Sequence, residues 1–261
     1  ALALLMAFTT ACSSKTENTT TTSQDKDTFT YAINSDPSST NPINVSDRWG
    51  LTMTNMIYSP LIRVEGDGSL VNELAESTEL AKDGLSLTVN LKKGIKWSDG
   101  QDFTADDVVF TYETKAKKEN GNFKSLWIND KPITVEKKDD HTVVFKFPEP
   151  SAAAANNIAT ETYIIPKHIY GNVSDFSVKD LQEKPVGTGP YKLVENKRGE
   201  YIKFEANENY YKGKPNVKNV VLRVIQSADT AKVALQKGEI DASYVLPTDI
   251  KDLDTNKLDV Y

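Results

Sequence analysis

Residues Leu91–Phe110 read LKKGIKWSDGQDFTADDVVF and contain the clearest local folding signals of this 261-residue chain. Ser98–Gly100 is a typical turn sequence. Thr104 can cap a helix whose third residue is Asp107, and together the two form a variant of the capping box. The stretch therefore predicts a turn followed by a helix that runs from Ala105 to about Glu119.

Outward from this stretch, apolar residues alternate with polar ones in short runs, a period that predicts strands with one buried face. Helical spacing of apolar residues predicts two further helices, and turn formers separate the segments. The predicted strands lie at 29–33, 61–64, 85–91, 133–147 (a hairpin), 191–194, 201–206, 220–225 and 240–244, and the two helices at 49–57 and 230–237. This mixture indicates an α/β fold, and the length allows two lobes or subdomains.

The composition and the motifs exclude several classes of function. A net charge of −6 argues against a nucleic-acid surface, because neutralising phosphates requires a basic patch. His141 and His168 have no metal-ligand spacing, and the sequence contains neither a phosphate-binding P-loop nor a G-x-S-x-G nucleophile elbow. We therefore expect no catalytic residues, no metal site and no cofactor.

The beginning of the chain predicts export and anchoring. Residues 1–11 are apolar but too few to span a bilayer, which indicates the remnant of a signal peptide. The small residues before Cys12 resemble a bacterial lipobox, although Thr9 stands where Leu is usual. A lone cysteine is generally a small buried hydrophobe, but the polar run that follows has nothing to bury it. We expect Cys12 to carry a lipid and residues 12–27 to form a flexible tether.

Four segments together resemble the family 5 extracellular solute-binding proteins, which capture oligopeptides, dipeptides or nickel for ABC transporters. The segments are Leu91–Phe110, Pro185–Tyr191 (PVGTGPY), Phe204–Pro215 (FEANENYYKGKP) and Ala234–Asp241 (ALQKGEID). The resemblance implies an α/β, periplasmic-binding-protein-like fold of type II, in the large peptide-binding subgroup. Within the first segment, it implies that Trp97, Asp99 and Phe103 are structural rather than ligand contacts.

The resemblance also implies a division of the chain. Residues 28–57 and 185–244 are expected to form lobe I, and residues 58–184 the extra subdomain of this group. Residues 245–261 are expected to be the truncated start of lobe II. Family members are roughly twice as long, so we expect this sequence to hold one lobe and the extra subdomain, with the second lobe missing.

The implied function is capture of short peptides outside the cell and their delivery to an ABC permease and its ATPase subunits. The implied location is the extracytoplasmic face of the cell membrane, through the lipid anchor, as in a Gram-positive bacterium. A nickel- or dipeptide-binding member of the same family is an alternative, as is a surface receptor or adhesion lipoprotein that kept the fold.

The loop after the first strand is expected to face the ligand cleft, which makes Asn34, Ser35 and Asp36 candidate ligand-binding residues. Plain turn chemistry, with Asp36 before Pro37, is an equal alternative for these three residues.

Overall fold

The computed structural model describes residues 27–120, 123–151, 156, 158, 162–176, 178, 183–254 and 257–259. Cys12, residues 1–11 and the tether up to residue 26 lie outside these described residues. In the part of the chain that the structure describes, no helix is long and apolar enough to cross a membrane.

The described residues form two larger sheets, two small hairpins and several helices. The strands are β1 (Thr28–Ile33), β2 (Ile62–Val64), β3 (Leu70–Asn72), β4 (Ala75–Leu80), β5 (Ser86–Leu91), β6 (Trp127–Ile128), β7 (Lys131–Pro132), β8 (Thr134–Asp139), β9 (Thr142–Lys146), β10 (Tyr191–Lys197), β11 (Tyr201–Ala206), β12 (Asn219–Val224) and β13 (Ala242–Ser243). The α-helices are α1 (Arg48–Ile57), α2 (Ala105–Lys115), α3 (Lys167–Tyr170) and α4 (Ala228–Gln236).

The mixed sheet has the strand order β10-β11-β12-β1-β13 and joins the start of the described chain to its last third. β1 runs parallel to both of its neighbours, β12 and β13, whereas β10, β11 and β12 pair antiparallel. Asp241 fixes the entry of β13, because its carboxylate accepts the backbone N–H of Thr30 at 2.7 Å. Three parallel strands therefore end at the same edge of this sheet.

The antiparallel sheet has the order β4-β5-β9-β8 and confirms the predicted hairpin, which is formed by β8 and β9. Its core consists of Leu87, Val89 and Phe145, against which α2 packs Val108 and Tyr112. Because these side chains are almost completely buried, each contributes about 1.5–3 kcal/mol through the hydrophobic effect.

The capping box predicted for α2 is confirmed. The side chain of Thr104 accepts backbone N–H groups of the first turn, and the carboxylate of Asp107 accepts the N–H of Thr104 at 2.9 Å. The helix ends at Lys115 rather than near Glu119. Side chains outside the helix bond its last carbonyls: Asn120 donates to Thr114 O at 2.8 Å and Trp127 Nε1 donates to Ala116 O at 2.7 Å.

A second core lies between the mixed sheet and α1, where Ile33 and Met53 are buried. Residues from the segment 163–176 also pack in this core, including Tyr163 and Tyr170. The segment contributes to both cores, because Ile164 is buried in the core of the antiparallel sheet. Its assignment to the extra subdomain stays a prediction.

Three of the four segments that carry the family resemblance meet where the two sheets join. Gly189 donates its N–H to Ile57 O at 2.8 Å, at the end of α1, and accepts from Asn207 Nδ2 at 2.8 Å. Asn209 Nδ2 donates to the carbonyl of Trp97 at 3.2 Å. The indole of Trp97 is completely buried, as expected for a structural residue.

Candidate ligand-binding site

The carboxyl ends of the three parallel strands define the most informative edge of the mixed sheet. β1 is followed by Asn34, β12 by Ile225 and β13 by Tyr244. In open α/β sheets, ligands bind in the crevice outside the carboxyl ends of the strands, where loops present side chains that the sheet itself does not bury. A ligand-binding site is therefore expected at this edge.

A cavity of about 230 Å³ opens at this edge, between the start of α1, the start of α4 and the chain that follows β13. Its walls combine aliphatic, aromatic and charged side chains, a mixture typical of small-ligand sites. The lining residues are Ala32, Ile33, Asn34, Trp49, Ile225, Gln226, Ala228, Ala231, Lys232, Ser243, Tyr244, Val245, Leu246 and Asp249.

An arginine beside this cavity lies over two of the aromatic rings that line it. The guanidinium carbon of Arg48 lies 4.6 Å from the centre of the Tyr244 ring and 5.0 Å from the centre of the Trp49 ring. Trp49 is buried, whereas Tyr244 is 54% exposed, so one ring belongs to the wall and the other faces solvent. Exposed aromatic rings beside a cation are typical of a surface that binds a ligand or partner.

Hydrogen bonds hold the buried ring and the start of α1 in place. Trp49 Nε1 donates to Asn34 Oδ1 at 2.6 Å, which ties α1 to the end of β1. The carboxylate of Asp47 accepts the N–H of Gly50 at 3.0 Å and the hydroxyl of Ser38 at 2.5 Å. Burial raises the pKa of Asp47, but these hydrogen bonds outweigh it and leave the pKa below its usual value. An ionised cap therefore fixes the helix that carries Arg48.

The other charged groups of the cavity are paired with each other. Lys232 Nζ lies 2.9 Å from a carboxylate oxygen of Asp229 and 3.8 Å from one of Asp249. For Arg48, by contrast, the described residues provide no carboxylate oxygen within 4 Å. Among the described residues, Arg48 is therefore a cation next to the cavity without a carboxylate partner, whereas the cluster around Lys232 has one negative charge in excess.

The three residues predicted from the sequence lie in different environments. Asn34 lines the cavity, and Ser35 is exposed next to it. The carboxylate of Asp36 accepts the N–H of Gly199 at 2.8 Å, so it is engaged with the turn between β10 and β11. Ligand contact by these residues stays a prediction.

Sequence reasoning did not single out Arg48, Trp49 or Tyr244. The helical spacing that includes Trp49 is typical of core residues, and the structure buries the indole. The available signal was a tyrosine at the end of the last predicted strand, Tyr244, followed by the apolar pair Val245 and Leu246.

A larger cavity of about 650 Å³ lies between α1, the β2–β3 hairpin and the loop before β12. Its charged side chains bind one another: Glu73 accepts from Arg63 Nε at 2.9 Å and from Lys212 Nζ at 2.5 Å. These groups form a closed ion cluster between the two sheets. We therefore place the candidate site at the strand ends, where Arg48 and Tyr244 are open to solvent.

Comparisons with known proteins agree with one another. The family model for bacterial extracellular solute-binding proteins, family 5, middle region, matches residues 69–261. The oligopeptide-binding protein AppA of Bacillus subtilis is 39% identical over 223 residues, which cover 83% of this chain and 40% of AppA.

Solved structures give the same result. The chain is similar to the substrate-binding protein CtaP of Listeria monocytogenes, with a TM-score of 0.81 and 37% identity over 88% of this chain and 46% of CtaP. It is also similar to B. subtilis AppA in complex with a nonapeptide, with a TM-score of 0.80 and 35% identity over 86% of this chain and 45% of AppA. The chain thus spans less than half the length of these relatives.

The mixed sheet and the antiparallel sheet define the type II periplasmic-binding-protein-like fold of solute-binding proteins. The family model covers all four segments that carry the resemblance and every described strand except β1 and β2. The chain belongs to family 5 of the bacterial extracellular solute-binding proteins.

Proposed function

We propose that this chain captures oligopeptides outside the cell for an ABC importer. The observation that carries the proposal is the coincidence of 39% identity to an oligopeptide-binding protein with an open aromatic and cationic cavity at the strand ends. The relatives are binding proteins rather than enzymes, and the proposed role is binding without catalysis.

In this proposal the mixed sheet is the main body of lobe I, built from residues 28–57 and 185–244. The antiparallel sheet forms the extra subdomain within residues 58–184, and residues 245–261 begin the connection to lobe II. The cavity is then one wall of a cleft whose other wall belongs to the second lobe. A peptide held between the walls is desolvated when the lobes close around it.

The residues that line the cavity suggest how the protein holds an extended peptide. The backbone of a peptide can pair with exposed main-chain groups at the strand ends, while its side chains enter roomy pockets. Tyr244 and Leu246 are each about half exposed and offer apolar surface that is not specific for one side chain. Such a surface accepts many different peptide side chains, so the proposed specificity is broad.

Calorimetry of the protein at the full length that its gene encodes tests the proposal. Titration with a nonapeptide, a dipeptide and nickel–histidine is expected to give micromolar or tighter binding for the nonapeptide. Binding of nickel–histidine or the dipeptide alone would favour the other branches of the family. A protein that bound none of the three would contradict the capture of peptides altogether.

We further propose that a lipid on Cys12 anchors the protein to the outer face of the cell membrane, beside its permease. The apolar residues 1–11, the small residues before Cys12 and the polar run after it support this. Tethering raises the local concentration of loaded protein at the permease. Mass spectrometry of protein extracted from its native membrane is expected to find Cys12 lipid-modified at the mature N-terminus; an unmodified thiol would refute the anchor.

A further inference from the structure

Arg48 occupies an unusual position for an exposed arginine. It is the first residue of α1, and its guanidinium contacts the rings of Trp49 and Tyr244, both of which line the cavity. Contact with ring faces uses the π surface of the guanidinium and none of its five N–H donors. The two rings hold the side chain of Arg48 in place, while its N–H donors remain available to a ligand or to water.

The neighbouring carboxylates do not use these donors. Asp47 accepts from Ser38 and Gly50, and Asp249 and Asp229 lie beside Lys232. Within the described part of the chain, Arg48 has no carboxylate partner inside 4 Å. An anion that bound against Tyr244 would meet a cation without a carboxylate partner, whose side chain is already partly ordered by two rings.

A planar guanidinium with free in-plane donors matches one ligand chemistry best. A carboxylate offers two oxygens at the spacing of two parallel N–H groups, so the pair forms a bidentate, charge-assisted hydrogen bond. Stacking on two rings reduces the side-chain entropy that is lost when the pair forms. The ring of Tyr244 also shields the pair from water.

We propose that Arg48 recognises a carboxylate of the captured ligand. This inference rests on the proposed function, because it assumes that the ligand lies against this cavity. Every unmodified peptide carries a carboxylate at its C-terminus, and acidic peptides carry others on Asp or Glu side chains. The cleft therefore prefers peptides that place either kind of carboxylate at the strand ends.

Calorimetry with matched peptides separates the two sources. One pair of nonapeptides differs only in a free or amidated C-terminus, and a second series replaces Gln by Glu at single positions. For the full-length gene product we expect about a 10- to 100-fold preference for the carboxylate in at least one of these comparisons.

Three variants test whether Arg48 is the cause. R48Q is expected to abolish the preference while its affinity for the neutral peptide changes less than about threefold. R48K keeps the positive charge but cannot form the bidentate hydrogen bond of a guanidinium group. It is therefore expected to retain only part of the preference. R223Q is the matched control, because it removes the same charge from an exposed position of β12 outside the cavity and should leave the preference intact.

The outcomes distinguish this inference from the proposed function. If the wild-type protein binds peptides but shows no preference in either comparison, or if R48Q keeps the preference, the role of Arg48 is refuted while peptide capture stands. If no peptide binds at all, both are refuted.

Discussion

Glu73 is the residue that most directly ties the β2–β3 hairpin to the loop before β12. Its carboxylate accepts hydrogen bonds from Arg63, Lys212 and the hydroxyl of Tyr211, and only 6% of its side chain is exposed. Burial raises the pKa of Glu73, but the hydrogen bonds and the charge of Lys212 outweigh it and hold the pKa below its usual value of 4.5. The ionised form is therefore the one that stabilises the junction.

Replacement of Glu73 by Gln is expected to lower the free energy of unfolding at pH 7 by about 1–2 kcal/mol, because two cations lose their shared carboxylate. The contribution of ionised Glu73 is complete above pH 4.5 and is lost as the pH falls below it. The deficit of E73Q should therefore shrink between pH 5 and pH 3. Urea denaturation at a series of pH values measures both effects.

E65Q is the matched control for this experiment. Glu65 also pairs with Arg63, at 2.8 Å, but it lies at the surface, where ion pairs contribute little. We expect a change within about 0.5 kcal/mol. Equal stability of E73Q and wild type at pH 7, or a deficit that does not vary with pH, would be inconsistent with the proposed ion cluster.

Single residues also show what the sequence can and cannot predict about the site. The turn formers after β1 predicted a loop, and Asn34 at its start lines the strand-end cavity, but ligand contact by Asn34 stays a prediction. The bond between Asp36 and Gly199 joins residues that are 163 positions apart, so no local pattern indicates it. Likewise, an amphipathic pattern shows that Trp49 faces inward but not that its edge borders an open cavity.

At the scale of elements, the segment Gly187–Gly189 joins the end of α1 to the turn that contains Trp97 and Ser98. Gly187 accepts the N–H of Ser98 at 2.9 Å. A Cβ atom on Gly187 would lie only 1.9 Å from the carbonyl oxygen of Ile57. Glycine is needed here because two backbone segments approach each other closely.

Substitution of Gly187 by Ala is expected to lower the free energy of unfolding by about 3 kcal/mol, since backbone at the end of α1 must move to admit the methyl group. The clash is with backbone, which adjusts less readily than a side chain. Thermal or urea denaturation measures the loss.

Gly66 provides the control for this substitution. It lies in the turn between β2 and β3, where a Cβ atom would meet nothing within 4 Å. We expect G66A to change the stability by less than about 0.5 kcal/mol. Comparable stability of G187A and G66A would show that the junction is less tightly packed than the structure indicates.

Elements were predicted well where their signals are local. The capping box of α2 lies within four consecutive residues, Thr104–Asp107, and could be read directly from them. The end of the same helix depends on Asn120 and Trp127, which lie beyond it, so the sequence pattern extended the helix too far. Helix boundaries that depend on tertiary contacts cannot be predicted from the periodicity of the sequence.

At the scale of the whole molecule, the order of strands in the mixed sheet could not be predicted from the periodicity of the sequence. β1 lies between β12 and β13, whose residues follow it by about two hundred positions. The resemblance to a family implied this discontinuous lobe, whereas the alternation of residues gave only the strands. The pairing also creates the candidate site, because it brings three strand ends to one edge.

The site itself therefore belongs to the fold rather than to any motif. The four segments that carry the resemblance serve mainly the junction of the sheets and the attachment of β13, through residues such as Trp97, Gly187, Asn207 and Asp241. Arg48 and Tyr244 lie outside all four segments. Motifs identify the fold here, whereas the candidate ligand-binding surface becomes visible only in the assembled structure.

The central claim is that this lobe meets its ligand at the carboxyl ends of β1, β12 and β13. Hydrogen–deuterium exchange of the full-length gene product, with and without a nonapeptide that calorimetry shows to bind, tests it most directly. We predict slower exchange on binding in residues 31–36, 48–52, 225–232 and 243–249. Unchanged exchange in these segments, with protection instead around Glu73 and the 650 Å³ cavity, would contradict the claim.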